Sequence, residues 1–244
     1  MLGIIDWGIG GVSILKLIKE RTPSAGILYF SDTGATPYGK MGRRELAERL
    51  DAVIDFLKSQ GMTRLVIGCN AASTAIGDFR DHGIRIDGVI EPAVVAATKL
   101  KPARLGVIGG RRTVVSGVYR RAFEVKGIDV DQRIAQPLSG LIESGDISSG
   151  VLRDEAKRIL LPLKDCSHIL LACTHYPAIE PVLRDYVPAS TTFVDPAAAV
   201  VEKLGKLDSA GVDRFFTTGD TRQMKRSAKL AFGVEIGAVE KVRI

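Results

Sequence analysis

Two cysteines each follow a short apolar run, Cys69 after "RLVIG" and Cys173 after "HILLA". A polar residue comes directly after each of them, in "CNAAS" and "CTHYP", and His175 stands two positions beyond Cys173. A thiol at the start of a helix, or beside an imidazole, has a lowered pKa and exists partly as thiolate. We therefore predict that both sulfur atoms are available for acid–base or nucleophilic chemistry.

Two kinds of reaction are compatible with these thiols. A cysteine with His175 as its base could serve as a hydrolase nucleophile, but that leaves Cys69 without a role. Two thiols that face one substrate carbon favour general acid–base catalysis, in which one removes a proton and the other delivers a proton to the opposite face. A single buried cysteine is usually an apolar core residue, so the functional interpretation depends on the repetition.

A zinc site is the third interpretation of this region, because Cys166 and His168 precede Cys173 and His175. If residues 168–172 form a strand, the two pairs are separated by roughly 16 Å. Ligands of one zinc ion must each lie ~2.0–2.3 Å from the metal. We therefore expect no metal site here and assign no role to Cys166 or His168.

A glycine-rich turn, "DWGIGG", follows the first apolar run and precedes a helical pattern. Backbone N–H groups at such a helix start can face an anion. The spacing departs from the dinucleotide fingerprint, since its third glycine would fall on Ser13. A turn required by packing and a turn that orients Asp6 toward a ligand are the other two interpretations.

Short apolar runs must supply the strands that position these residues. They are near-continuous, so we expect strands buried on both faces. The candidates are residues 2–6, 27–32, 64–69, 88–92, 104–109, 168–173, 192–195 and 214–219. Helical patterns lie between them, for example at residues 11–20 and 43–61. This alternation predicts an α/β fold with parallel sheets covered by helices.

The succession of strand, cysteine, polar residue and helix occurs at residues 64–80 and again at 168–186. We interpret it as a weak structural repeat, and predict two pseudosymmetric lobes, each a mainly parallel sheet flanked by helices. Residues 1–94 with 209–244 would form the first lobe, and residues 95–208 the second. Ligands bind at the carboxyl ends of strands in such sheets, so both thiols would face the cleft between the lobes.

Composition excludes several classes of protein. A chain of 244 residues with 45% hydrophobic residues can bury a sizeable core. Its apolar runs are too short for a membrane helix, and the first residues do not have the pattern of a signal peptide. Three cysteines argue against a disulfide scaffold and favour a reducing cytoplasm. The net charge of +6 comes from scattered basic pairs, so we expect no nucleic-acid partner.

An ordered set of motifs resembles the cofactor-independent glutamate racemases, within the aspartate/glutamate racemase superfamily. The resemblance runs from "GIIDWGIGG" to "RFFTTGD" and includes "SDTGATPYG", "CNAAS", "PLSGLIESG", "LACTHYP" and "FVDPA". It implies an isomerase that uses no metal, flavin or pyridoxal phosphate and acts on a small-molecule substrate. It implies D-glutamate for the bacterial cell wall as product, and it allows a homodimer.

The resemblance also implies roles for individual residues. Cys69 and Cys173 match the two catalytic acid/bases, assisted by Asp6, Asp32, Glu143 and His175. The substrate-binding segments match at Pro37, Tyr38, Gly39, Asn70, Thr113 and Thr174.

Three positions in the expected substrate pocket depart from the family pattern. Trp7 and Ala71 stand where members carry serine and threonine, and Gly110 replaces a further threonine. Each lost hydrogen bond to a charged group costs about 1.5–3 kcal/mol. Glutamate racemisation is therefore the first hypothesis, and isomerisation or decarboxylation of another amino acid or dicarboxylate is the second. A catalytically silent binding homologue, with Trp7 filling the cleft, is the third.

Overall fold

The computed structural model describes residues 1–207 and 210–244. These residues form ten strands, all of them short. The strands are β1 (Leu2–Asp6), β2 (Ile27–Ser31), β3 (Arg64–Ile67), β4 (Arg85–Gly88), β5 (Leu105–Gly109), β6 (Val130–Ile134), β7 (His168–Ala172), β8 (Thr192–Val194), β9 (Arg214–Thr217) and β10 (Val239–Lys241).

Eleven α-helices and three short 3₁₀ segments connect the strands within the described residues. The helices are α1 (Val12–Arg21), α2 (Arg43–Ser59), α3 (Asn70–Ser73), α4 (Ile90–Lys99), α5 (Arg111–Val115), α6 (Val118–Glu124), α7 (Gln136–Glu143), α8 (Gly150–Leu160), α9 (Glu180–Arg184), α10 (Pro196–Leu204) and α11 (Thr221–Phe232). The 3₁₀ segments are Ile76–Asp78, Leu161–Leu163 and Tyr176–Ile179.

The strands are arranged in two sheets. The first has the order β10-β9-β2-β1-β3-β4 and the second the order β6-β5-β7-β8. Every pairing between these strands is parallel, for example Leu2 with Ile27 in the first sheet and Leu105 with His168 in the second. Parallel neighbours need crossover connections, and the helices provide them. The predicted α/β class with helix-covered parallel sheets is confirmed.

The central strands are buried on both faces, as their apolar sequences predict. All five residues of β1, of β2 and of β5 are buried. The helix over residues 43–59 places its apolar stripe on the core, with Leu46, Leu50, Val53, Ile54 and Leu57 fully buried. It ends before Gly61, whose φ of +92° lies in the left-handed region that glycine tolerates.

One predicted strand is wrong, and three strands, β4, β6 and β10, escaped prediction. Residues 88–92 do not form a strand, because β4 ends at Gly88 and α4 begins at Ile90. Pro92 lies in the first turn of that helix, where its missing N–H costs no hydrogen bond. Strands β6 and β10 are largely polar and gave no apolar run.

One predicted lobe boundary lies within a helix, and the other lies outside the described residues. Position 94/95 lies inside α4, where Ala93, Val94 and Ala97 pack with strands of the second sheet. Position 208/209 lies outside the described residues.

All three cysteines are free thiols. No described helix has the length and apolar character needed to cross a membrane.

Candidate active site

Each of the two sheets places one cysteine in the wall of the same cavity. Cys69 follows β3 and immediately precedes α3, while Cys173 follows β7 and precedes a 3₁₀ turn. The cavity has a volume of about 270 Å³, and both residues line it. The carboxyl ends of parallel strands are the usual ligand-binding edge of such sheets, so the position of the thiols follows from the topology.

Most of the residues predicted for the site line this cavity. Besides the two cysteines they are Asp6, Trp7, Pro37, Tyr38, Gly39, Asn70, Ala71, Thr113, Thr174 and His175. Asp32 and Glu143 do not belong to the lining and contact residues behind it. Gly110, where the sequence lacks the expected threonine, lies at the cavity wall.

A chain of three side chains runs away from Cys173. The Cys173 sulfur lies 3.7 Å from Nδ1 of His175, and Nε2 of that ring lies 2.7 Å from Oε2 of Glu143. Burial works against protonation of His175, but its hydrogen bonds to Cys173 and Glu143 prevail and raise its pKa well above the ordinary value. The raised pKa favours the protonated ring, which places positive charge 3.7 Å from the Cys173 sulfur.

The glycine turn holds this chain in place. The Ile9 backbone N–H donates a hydrogen bond to Oε2 of Glu143 at 2.9 Å. A Cβ atom on Gly8 would collide with the Glu143 carboxylate, and one on Gly10 would lie 2.6 Å from Nδ1 of His175. The N–H groups of the turn therefore face protein carboxylates, which excludes the dinucleotide interpretation and supports the two interpretations based on packing and on Asp6.

Asp6 is fully buried at the end of β1 and lines the cavity. Its Oδ1 accepts a hydrogen bond from the Gly8 N–H at 2.9 Å, and its Oδ2 accepts one from the Thr174 hydroxyl at 3.0 Å. Burial raises the pKa of Asp6 above its usual range, and the nearby His175 opposes this shift in part. One hydrogen bond from the turn and one from Thr174 thus fix the carboxyl group.

The expected lowering of the thiol pKa is wrong for Cys69. Burial raises the pKa of this thiol well above its ordinary value, and the charge of Asp6 adds to the increase. Backbone N–H groups of Ala71 and Ala72 oppose the shift, but α3 has four residues and its dipole is correspondingly weak. Cys69 is therefore a protonated thiol in this structure.

Asn70 lines the cavity and is held by the second half of the molecule. Its Oδ1 accepts a hydrogen bond from the Tyr119 hydroxyl at 2.6 Å, which fixes the orientation of the side chain. Its Nδ2 is buried and has no partner among the described residues. A buried donor without an acceptor is costly.

Trp7 forms part of the wall and leaves the cavity open. Its indole Nε1 donates a hydrogen bond to the Ala35 carbonyl at 3.1 Å. The ring packs on the core of the first sheet beside Ala71 and Cys69. The departures from the family pattern at positions 7 and 71 therefore make one side of the cavity apolar.

Asp32 lies behind the cavity wall and is held by four hydrogen bonds. Its carboxylate accepts two hydrogen bonds from the Arg49 guanidinium, at 2.6 and 2.9 Å. It also accepts from the hydroxyls of Tyr38 at 2.9 Å and Thr218 at 2.8 Å. This residue is fully buried, and its contacts fix Tyr38, which does line the cavity.

Several lining residues were missed by sequence reasoning, because charged or polar side chains in loops and short helices have no periodic signal. They are Lys40, Arg111, Gln136, Ser139 and Gly140. Gln136 accepts a hydrogen bond from the Arg111 backbone N–H at 3.1 Å, and a Cβ on Gly110 would lie 3.1 Å from the same amide oxygen. No cluster of potential metal ligands occurs within residues 1–207 and 210–244.

Comparisons with known proteins agree with this geometry. The model of the Asp/Glu/Hydantoin racemase family matches residues 2–204. A glutamate racemase of Pseudomonas aeruginosa is 33% identical, over 95% of this chain and 94% of its own length. The crystal structure of glutamate racemase isoform RacE1 from Bacillus anthracis matches with a TM-score of 0.88 and 28% identity, over 100% of this chain and 97% of that one.

A second solved structure is the glutamate racemase of Francisella tularensis in complex with D-glutamate. It matches with a TM-score of 0.88 and 25% identity, over 99% of this chain and 97% of that one. The family model, the sequence relatives and the shared fold show together that this chain is a racemase-type isomerase of the Asp/Glu/hydantoin racemase family.

Proposed function

We propose that this protein interconverts L- and D-glutamate with Cys69 and Cys173 as its two acid/bases. The observation that carries this proposal is that two thiols from different sheets line one cavity of about 270 Å³. Racemisation requires a proton acceptor on one face of the α-carbon and a donor on the other. A bound amino acid between the two sulfurs meets this requirement with protein side chains alone.

The surroundings of the two thiols differ. Burial and the charge of Asp6 raise the pKa of Cys69, which favours its protonated form. The Cys173 sulfur lies 3.7 Å from Nδ1 of His175. In one direction of the reaction, the Cys173 sulfur removes the α-proton and Cys69 donates its own proton to the opposite face. The reverse direction needs the opposite protonation state, with the two roles exchanged.

Negative charge develops on the substrate carboxylate as the α-proton leaves. We assign the stabilisation of this charge to Asn70, whose side chain is oriented by Tyr119, and to Thr113, a buried hydroxyl residue at the same cavity. Oriented donors in a water-poor site stabilise developing charge because they need no reorganisation. Asp6 supplies an acceptor for the substrate ammonium, and His175 and Glu143 act through Cys173.

The relatives support glutamate as substrate, since they are named glutamate racemases and one solved structure contains D-glutamate. We propose that D-glutamate made by this chain serves bacterial cell-wall synthesis. We also propose a cytoplasmic location, in agreement with three free thiols. The two-lobe division, with residues 1–94 and 209–244 against 95–208, remains a proposal, as does a homodimer.

One observation favours a second candidate, a two-thiol enzyme acting on another amino acid or dicarboxylate. Trp7, Ala71 and Gly110 line the cavity and have no side-chain hydroxyl. Lys40 and Arg111 also line it and offer cationic groups to an acidic substrate. The silent-homologue hypothesis loses its main support, because the indole of Trp7 lies against Ala35 and leaves the cavity open.

Proton NMR of L-glutamate with the enzyme in D₂O tests the proposal directly. We expect loss of the α-proton signal together with formation of D-glutamate, and loss of both reactions in Cys69→Ser and Cys173→Ser. Cys166→Ala is the matched control, because Cys166 is a buried thiol outside the cavity. Full racemisation by either serine variant contradicts the two-cysteine mechanism. Absence of exchange with folded wild-type protein, but exchange with another carboxylate, supports the second candidate.

A further inference from the structure

A groove lined by four arginine residues adjoins the active-site cavity. It has a volume of about 510 Å³, and its arginines are Arg43, Arg111, Arg112 and Arg121. Gly39 and Arg111 line both the groove and the cavity, so the two spaces are neighbours. The mechanism proposed above makes no use of this groove.

The side chains that line the groove carry an excess of positive charge. The described residues that line it include no aspartate or glutamate. Arg43 is neutralised by two contacts with Asp78, at 2.6 and 2.7 Å. Arg111 and Arg121 have no ion pair with any residue in the described part of the chain. The groove therefore concentrates positive charge that the protein itself does not balance.

Arg112 is the least solvated of the four. Its Nε donates to the Thr74 hydroxyl at 2.9 Å and its Nη1 to the Met41 carbonyl at 2.8 Å, so both partners are neutral. Its Nη2 has no hydrogen bond to any described residue. Burial, together with repulsion by Arg43, lowers the pKa of Arg112. The charge of Asp78 opposes this shift in part, but Asp78 forms no hydrogen bond with Arg112. Holding a partly buried guanidinium without a direct ion pair costs free energy, which a bound anion would offset.

Both halves of the molecule contribute to the groove. The half that contains the first sheet contributes Gly39, Arg43 and Thr74. The half that contains the second sheet contributes Arg111 and Arg112 from α5 and Arg121 from α6. An anion bound between these groups contacts both halves at once.

We propose that this groove is a binding site for a phosphate-bearing anion, adjoining the amino-acid cavity and sharing Gly39 and Arg111 with it. A phosphate group offers several acceptor oxygens to guanidinium forks at the same time, and arginine matches this geometry well. The groove is also larger than the cavity assigned to the amino acid, at about 510 against 270 Å³. This favours a ligand with more than one charged group, such as a diphosphate.

Calorimetric titration with inorganic pyrophosphate at fixed low ionic strength tests this site. We expect saturable binding to wild-type protein that weakens as sodium chloride is added. Arg121→Gln should weaken it about fivefold, the effect of removing one exposed ion pair. Arg120→Gln is the matched control, since Arg120 is an exposed neighbour on the same helix but does not line the groove.

Further titrations distinguish the source of the phosphate group. Tighter binding of adenosine diphosphate than of pyrophosphate identifies a nucleotide site, and equal binding identifies a site for the phosphates alone. Absence of saturable binding by pyrophosphate and by adenosine diphosphate overturns the proposal, as does an equal loss in Arg120→Gln and Arg121→Gln. Because binding is measured directly, the result is independent of whether the chain racemises glutamate.

Discussion

The Tyr119 hydroxyl donates a hydrogen bond of 2.6 Å to the side-chain oxygen of Asn70. Asn70 follows a strand of the first sheet, and Tyr119 packs in the core beside the second. The contact therefore joins the two halves of the molecule next to the cavity. It also fixes the Asn70 side chain, whose Nδ2 has no hydrogen-bond partner among the described residues.

Tyr119→Phe should impair substrate binding more than turnover. The amide of Asn70 loses its fixed orientation, and one hydrogen bond contributes about 1 kcal/mol, so we expect KM to rise about fivefold. Steady-state kinetics of Tyr119→Phe, Asn70→Ala and the double variant form the measurement. If Tyr119 acts through Asn70, it has no further effect in the Asn70→Ala background. Additive losses contradict this relationship.

Glu143→Gln should shift the alkaline limb of the pH–rate profile to lower pH. A glutamine oxygen can still accept from Ile9 and His175, but the negative charge that favours the imidazolium is gone. The pKa of His175 then falls, and the imidazolium is lost at a lower pH. The measurement is kcat/KM as a function of pH. An unchanged profile means that Glu143 does not tune this histidine.

Glu143→Gln should also change how the free energy of unfolding depends on pH. A histidine whose folded-state pKa is raised stabilises the protein fully below the unfolded value of about 6.5, and this contribution is lost as pH rises through the folded pKa. Urea unfolding should therefore show the largest advantage of wild type over Glu143→Gln below about pH 6.5. The advantage should decrease at alkaline pH, and a constant difference contradicts the linkage.

Asp32→Asn should destabilise the fold. The exposed fraction of the Asp32 side chain is 0% and that of its partner Arg49 is 19%. Removing one member of a buried ion pair leaves the other without compensation, so we expect a loss of about 3 kcal/mol in the free energy of unfolding. Urea denaturation measures this loss. A catalytic defect with unchanged stability contradicts the positioning role and supports direct contact with the reacting groups.

Asp195→Asn should change how stability depends on pH. Asp195 caps α10 by accepting from the Ala197 N–H at 2.8 Å, and burial raises its pKa to about 6. A raised carboxyl pKa means that the folded state binds the extra proton, so wild-type stability falls as pH rises from about 4 to 6. Asparagine keeps the cap without this titration. Unfolding measured between pH 4 and 7 should show a divergence of at most about 3 kcal/mol.

The sequence predicted the central strands because they are apolar throughout. It found one edge strand, β8, but missed the other three, β4, β6 and β10. Edge strands expose one side to water and can be polar, so their pairing depends on a neighbour that is distant in the chain. The misplaced strand at residues 88–92 shows the same problem, since the apolar start of a buried helix resembles a short strand.

The site was predicted mainly by motif and less by geometry. The prediction gave both cysteines and most of the lining, but local spacing could not place Asp32 behind the cavity in a bidentate contact with Arg49. The Tyr119–Asn70 bond joins residues 49 positions apart, and no periodic pattern reports such a contact. The raised pKa of the Cys69 thiol also could not be predicted from the sequence, because the burial that raises it depends on the whole fold.

The order of strands in the first sheet has a consequence for synthesis. Leu28 of β2 pairs with Arg214 of β9, and β9 pairs in turn with β10. A ribosome adds about 5–20 residues per second, so one edge of β2 waits roughly 10–40 s for its partner. The second sheet uses strands from residues 105–194, all of which emerge earlier. During translation the second sheet can therefore close first, while the nascent first sheet keeps an unpaired edge until β9 has emerged.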